Sequence, residues 1–208
     1  KCGEEFGLCY NPEFVALGSV IRDLANPDFM LIGEHDALSG NMLEIFYRDI
    51  GIVAPIKRMS MVNAEIAKLA INSYMTMKIS YGNMLAEICM KLPGGNVDSV
   101  VGALGLDSRI GEKYLRGGLS YGGPCFPRDT IALAQMMREQ NLSSALPEAV
   151  TDFNNQYCKN TIDLVKALQQ PSDTIANLGL AYKANTPVIE SPAGLQIASA
   201  LAKESTTV

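Results

Sequence analysis

The chain has 208 residues, 48% of them hydrophobic, and a formal net charge of −5 with acidic and basic residues interspersed. Such a chain can bury one core or two, but it carries no basic block or stripe for nucleic acid and no apolar run near the ~18–20 residues of a membrane span. Five scattered cysteines (Cys2, Cys9, Cys89, Cys125, Cys158) without a CxxC pair argue against a disulfide framework or a metal site, so the compartment reads as reducing and cytoplasmic. The start, "KCGEEFGLCY", lacks the charged-then-apolar layout of a signal peptide. The single histidine, His35, lies beside a turn and reads as a surface residue, which disfavours serine–histidine or cysteine–histidine chemistry.

In chain order, "FGLCYNPEF" and "FMLIGE" read as short apolar strands, 37–48 as a helix, and "GIVAPIKRMS" as a third strand or extended linker. Strands alternating with a helix predict an α/β piece too small to form a whole sheet. From Met61 to Lys91 no proline intervenes, and one helix of roughly 46 Å is predicted. Most of its faces are apolar, yet Glu65, Lys68, Asn72, Thr76, Asn83 and Glu87 share one narrow stripe. A helix so long and apolar is expected to pack against a second copy, giving a homodimer. "LPGGNVDSV" predicts a turn and a new helix capped by Asn96 or Asp98. A helix over 147–168 leads through "QQPSD" into "TIANLGLAYK", read as a buried strand, and then into the helix "SPAGLQIASALAKE".

The segment "LSYGGPCFPRDT" concentrates unusual residues. Gly122 and Gly123 admit close approach or positive φ, and Pro124 and Pro127 fix φ on both sides of Cys125. Pro127 also suits the first position of a helix continued by Ile131, Leu133, Ala134 and Met137. Cys125 is then expected just before a helix N-terminus, where the dipole and Arg128 favour thiolate, with Asp129 close by. The alternative is a buried structural cysteine. Lys68 and Asn72, one turn apart, are expected to enter one cavity, the lysine toward a developing oxyanion; the alternative is a solvated helix edge. Glu13 in "YNPEF" is a candidate general base if partly buried, and otherwise an exposed turn residue.

Taken together, "NPEF" followed by "IRDLANPDFMLIG", "AEIAKLAINSYMTMKISYGN", "LGLDSRIGEKYL", "SYGGPCFPRDT" and "NLGLAYKANT…ESPA" resemble, in order and along nearly the whole chain, the UDP-glucose/GDP-mannose dehydrogenase family. The resemblance implies a mainly α central helical dimerisation domain flanked by incomplete α/β (Rossmann-like) pieces. It divides the chain into 1–60 (end of the NAD-binding domain), 61–146 (central helical domain with the cysteine loop) and 147–208 (connecting helix and start of a nucleotide-binding domain). It implies NAD-dependent, two-step oxidation of a nucleotide sugar to a uronate. Cys125 is the implied nucleophile. Lys68 stabilises oxyanions, Asn72 holds a substrate oxygen or water, Asp129 helps activate water, and Glu13 is the base for thioester hydrolysis. Arg109 reaches the substrate of a neighbouring subunit, Tyr121, Gly122 and Gly123 line the substrate loop, and Lys183 approaches the nucleotide phosphates.

Several positions depart from the family pattern. No GxGxxG occurs, so the resemblance places the NAD motif upstream of Lys1, and the chain reads as a piece that neither binds NAD well nor turns over by itself. Leu17 stands where many relatives carry a second glutamate, Ser120 where glycine is common, and Arg128 where lysine is common, while "TPVIES" lacks an aspartate and an arginine. UDP-glucose is the default sugar, with a UDP-N-acetylhexosamine or GDP-mannose as the alternative. A non-catalytic helical dimerisation module and a cysteine acyltransferase are the readings from other classes.

Overall fold

A computed structural model describes residues 1–170 and 173–203. The chain folds as two compact units, Lys1–Ala70 and Ile71 onward.

In the first unit a three-stranded sheet has the order β1-β2-β3. β1 (Cys9–Tyr10) pairs antiparallel with β2 (Met30–Glu34), Cys9 opposite Glu34; β2 runs parallel to β3 (Ile56–Ser60), from Met30 opposite Ile56 to Glu34 opposite Ser60. A short helix, α1 (Val20–Ala25), precedes β2, and α2 (Ala37–Asp49) makes the crossover that parallel strands require. β2 is the buried strand, with Leu31 and Ile32 at 2% and 0% exposure. α2 starts where Asp36 accepts from Ser39 N–H at 2.9 Å, an N-cap. Arg58 on β3 fastens it, pairing with Glu34 at 2.6 Å and Glu44 at 3.2 Å. Gly40 leaves room for that seam: a Cβ there would lie 1.6 Å from the Glu34 carboxylate, which would have to move aside.

α3 (Met61–Lys91) has the predicted limits. In the second unit α4 (Val97–Leu106) follows, capped by Asn96, whose side chain accepts from Ser99 N–H at 2.8 Å. Then come α5 (Phe126–Glu139), α6 (Ala145–Leu168) and α7 (Ala193–Ala202). α5 packs on α6, and α6 on α7 around Cys158, Ile197 and Leu201. α3 is inside out: Thr76 and Asn83 are 0% and 1% exposed, whereas Tyr74, Tyr81 and Ile88 stand about half exposed. Thr76 and Asn83 of its polar stripe thus face the interior of the second unit, Asn83 against backbone groups of Gly118 and Leu119 and Thr76 against Thr130, and the solvated-edge alternative is overturned at these two positions; Glu65, at the start of the stripe, is exposed.

The predicted strand over 174–183 is not formed. No other strand lies in the second unit to complete a ladder among the described residues. Leu178 is 96% exposed, and Gly179 takes φ +100° with its carbonyl accepting from the Asn177 side chain. Pro171 and Ser172 of the predicted linker, and Glu204 of the predicted last helix, lie outside the described residues.

Candidate active site

Cys125 is the N-cap residue of α5 and is exposed; the second helical position is Pro127, whose absent N–H costs nothing there. One turn into the helix, the Asp129 carboxylate is 3% exposed, and two donors hold it: Asn72 Nδ2 of α3 at 2.5 Å and Arg128 Nε at 2.9 Å. Asp129 beside it, then the surrounding negative groups at Cys125 and Glu190, push the Arg128 guanidinium above its ordinary value. Behind this pair the hydroxyls of Thr76 and Thr130 meet at 3.1 Å, both buried. The predicted cluster of Cys125, Asn72 and Asp129 therefore assembles on two helices of one unit.

Aromatic rings surround the loop. Phe126 packs edge-on against Tyr114 and Tyr121, at 6.1 and 6.3 Å between centroids. Burial pushes the Tyr121 phenol up. Burial, then Cys125 and Tyr114, push the Tyr182 phenol up as well. The ring of Tyr182 lies flush against Gly123, which has φ +85° and whose Cβ would fall 2.5 Å from it. Lys183 sits over that ring at 5.8 Å. Residue-by-residue reading missed Tyr182, together with Asn154, Glu190 and Ser191, which touch the loop from α6 and from the 182–191 segment. The serine and glutamate stand in the quoted "ESPA", but nothing in the sequence signals that their carbonyls are the contacting groups.

Arg109 is exposed and folded back on Asp107 at 2.6 Å, within a turn whose Ile110 and Gly111 carbonyls accept from Lys78 at 3.1 and 3.0 Å. In the first unit, Glu13 is exposed, and its backbone carbonyl accepts from Lys68, whose ammonium also lies 4.8 Å from the centre of the Phe14 ring. The NPEF turn is anchored by Asn11, which donates to the Leu31 carbonyl at 2.8 Å and accepts from Tyr47. His35 is half exposed, 3.7 Å from Asp36. Among the described residues no group of three or more His, Cys, Asp or Glu is placed to hold a metal, and no helix is long and apolar enough to cross a membrane.

Residues 62–156 match the model for the UDP-glucose/GDP-mannose dehydrogenase family, central domain, and residues 1–51 match that for the family's NAD binding domain. The chain is 37% identical to UDP-glucose 6-dehydrogenase YwqF of Bacillus subtilis over 92% of its own length and 43% of the relative's. It is 32% identical to the UDP-glucose 6-dehydrogenase of Rickettsia felis, over 96% of this chain and 45% of that one. It thus spans about half the length of the curated relatives it matches. Among solved structures, a UDP-glucose dehydrogenase from the hyperthermophilic archaeon Pyrobaculum islandicum superposes with a TM-score of 0.88 at 31% identity, covering 98% of this chain and 47% of the other. A UDP-D-ManNAc dehydrogenase from Pyrococcus horikoshii shares the fold with a TM-score of 0.85 at 24% identity.

Proposed function

Since the chain belongs to the UDP-glucose/GDP-mannose dehydrogenase family, we propose that Cys125 is the nucleophile of a two-stage oxidation that turns the primary alcohol of a nucleotide sugar, UDP-glucose by default, into a carboxylate. NAD is the cofactor of this family and, when bound, accepts the hydride of each oxidation. The turn between β2 and α2 does not fit a dinucleotide pyrophosphate: the Asp36 carboxylate already takes the Ser39 amide, and Glu34 closes over Gly40. The cofactor's phosphates are assigned to none of the described residues.

The observation that supports the reading is an exposed thiol at the α5 N-terminus with a buried, doubly held carboxylate one turn behind it. In the first stage the alcohol loses a hydride and a proton and becomes an aldehyde. The Cys125 thiolate then forms a C–S bond to the aldehyde carbon, and the oxygen takes a proton, giving a thiohemiacetal. Loss of that proton and of the remaining hydride leaves a thioester. Water adds to the thioester carbonyl, the C–S bond breaks, and the thiolate returns as the carboxylate leaves. Asp129, oriented by Asn72, suits the handling of the hydrolytic water, and Lys68 takes the oxyanion-stabilising role. Glu13 is the proposed base. Tyr121, Gly122 and Gly123 line the sugar site, Lys183 faces the phosphates, and Arg109 serves a neighbouring subunit's substrate. A homodimer through α3 is part of the proposal, supported by Tyr74, Tyr81 and Ile88 standing exposed at seven-residue intervals. Five unpaired cysteines suit a reducing, cytoplasmic setting.

The test is uronate formation from UDP-glucose and NAD by the full-length protein. Cys125→Ser blocks net uronate or traps a covalent adduct, whereas Cys2→Ser leaves product formation intact. Equal losses from both substitutions refute the assignment.

A further inference from the structure

Between α4 and α5 the chain from Arg116 to Pro124 has no helix or strand of its own. A segment packed into a protein in this way must find partners for its backbone groups elsewhere. Two carboxamides supply them. Asn83 of α3, 1% exposed, accepts from Gly118 N–H at 2.9 Å and donates to the Leu119 carbonyl at 3.2 Å. Asn154 of α6, 9% exposed, accepts from Tyr121 N–H at 2.8 Å and donates to the Tyr121 carbonyl at 3.0 Å. Each side chain offers one acceptor and one donor to the loop, as the backbone of a neighbouring strand would. Gly82 lets α3 come close enough for this, since a Cβ there would lie 2.5 Å from the Arg116 carbonyl oxygen. Beyond Tyr121, Gly123 N–H donates to the Glu190 carbonyl at 2.9 Å, and the Ser191 carbonyl fills the space where a Gly122 side chain would start.

We propose that Asn83 and Asn154 are positioning residues for Cys125: their buried carboxamides fix the path of Gly118–Tyr121 and so set where the following glycines and the thiol are presented. The proposal rests on Cys125 being the nucleophile, and neither asparagine touches the reacting atoms. The chemistry of the clamp is specific. A carboxylate of the same size still accepts the Tyr121 N–H, but it has no proton for the Tyr121 carbonyl, which then faces a buried negative oxygen. A protonated carboxyl regains the donor.

The test uses the chain itself and needs no turnover. In Asn154→Asp at neutral pH, amide exchange over 118–123, expressed as protection relative to the unstructured rate, is faster than in the wild type by about tenfold, from the loss of one hydrogen bond and the repulsion at the Tyr121 carbonyl. The buried Cys158 keeps its protection from iodoacetamide, so the loosening is confined to the loop. The variant carboxyl, facing a carbonyl, has its pKa raised, so protection returns as pH falls through that value and is lost as pH rises through it. Asn154→Ala does not recover on acidification. Asn83→Asp shows the same pattern centred on Gly118 and Leu119. If Asn154→Asp does not fold at neutral pH, Asn83→Asp carries the test. Wild-type exchange over 118–123 in these variants, exposure of Cys158 to the reagent, or recovery by the alanine variant overturns the proposal. Uronate formation by Cys125→Ser would instead overturn the nucleophile and leave the exchange result untouched.

Discussion

Gly122→Ala probes the contact between the cysteine loop and the 182–191 segment. The new Cβ would lie 1.8 Å from the Ser191 carbonyl oxygen and 2.9 Å from its carbon, both backbone atoms that cannot rotate aside. Real Cβ atoms essentially never approach closer than 3.0 Å, so the two segments must separate by at least about 1.2 Å. That movement breaks the bond from Gly123 N–H to the Glu190 carbonyl, now 2.9 Å. Overpacking costs about 1–3 kcal/mol and the lost hydrogen bond about 1, so a destabilisation of ~2–4 kcal/mol is expected. Urea denaturation followed by far-UV ellipticity measures it. Gly118→Ala is the control: it lies in the same loop, yet its Cβ would meet nothing within 4 Å, and a change within about 0.5 kcal/mol is expected. Gly122→Ala as stable as the wild type, or a control equally damaged, refutes the reasoning.

Three more outcomes are expected. Thr76→Val and Thr130→Val each cost about 1–2 kcal/mol, but the double variant costs less than the two together, because each single substitution leaves the other buried hydroxyl facing a methyl group; strict additivity in a denaturation cycle would exclude coupling. Asp23 is held down to about 2, from 3.8, first by Ser19 Oγ and then by the Ala16 amide. Its stabilising contribution is present above pH ~4 and fades as pH falls through about 2. Ser19→Ala moves the midpoint up toward the ordinary value in a carboxyl-carbon NMR titration, and an unmoved midpoint assigns the shift to another cause. Tyr81→Glu, at the centre of the exposed α3 stripe, halves the particle mass in light scattering if α3 is the dimer contact; an unchanged mass places the contact elsewhere.

Much of this architecture was legible because local signals carried it. The limits of α3, the Asn96 cap and the placing of Cys125 at a helix start follow from proline, glycine and capping residues acting over one turn. The polar spacing on α3 marked the right residues but not their direction. A stripe can face water or a polar interior, and only α5 against Thr76 and the 118–119 loop against Asn83 decide which. The apolar run over 174–180 looks like a strand because strand propensity is a statement about packing partners, and the described residues offer it none. Asn154 was illegible for a related reason. It lies among ordinary helical residues, and its role is defined by Tyr121, 33 positions earlier.

Those separations also bear on how the protein is made. The loop before the thiol takes its shape from Asn83, 35 and 36 positions upstream of the groups it holds, from Asn154, 33 positions downstream, and from Glu190 later still. Contacts between distant parts of a chain form late, after the helices that carry them. A nascent chain still emerging from the ribosome therefore carries this cysteine on a slack tether, and the loop takes its folded shape only once the stretch through Ser191 has come down onto it.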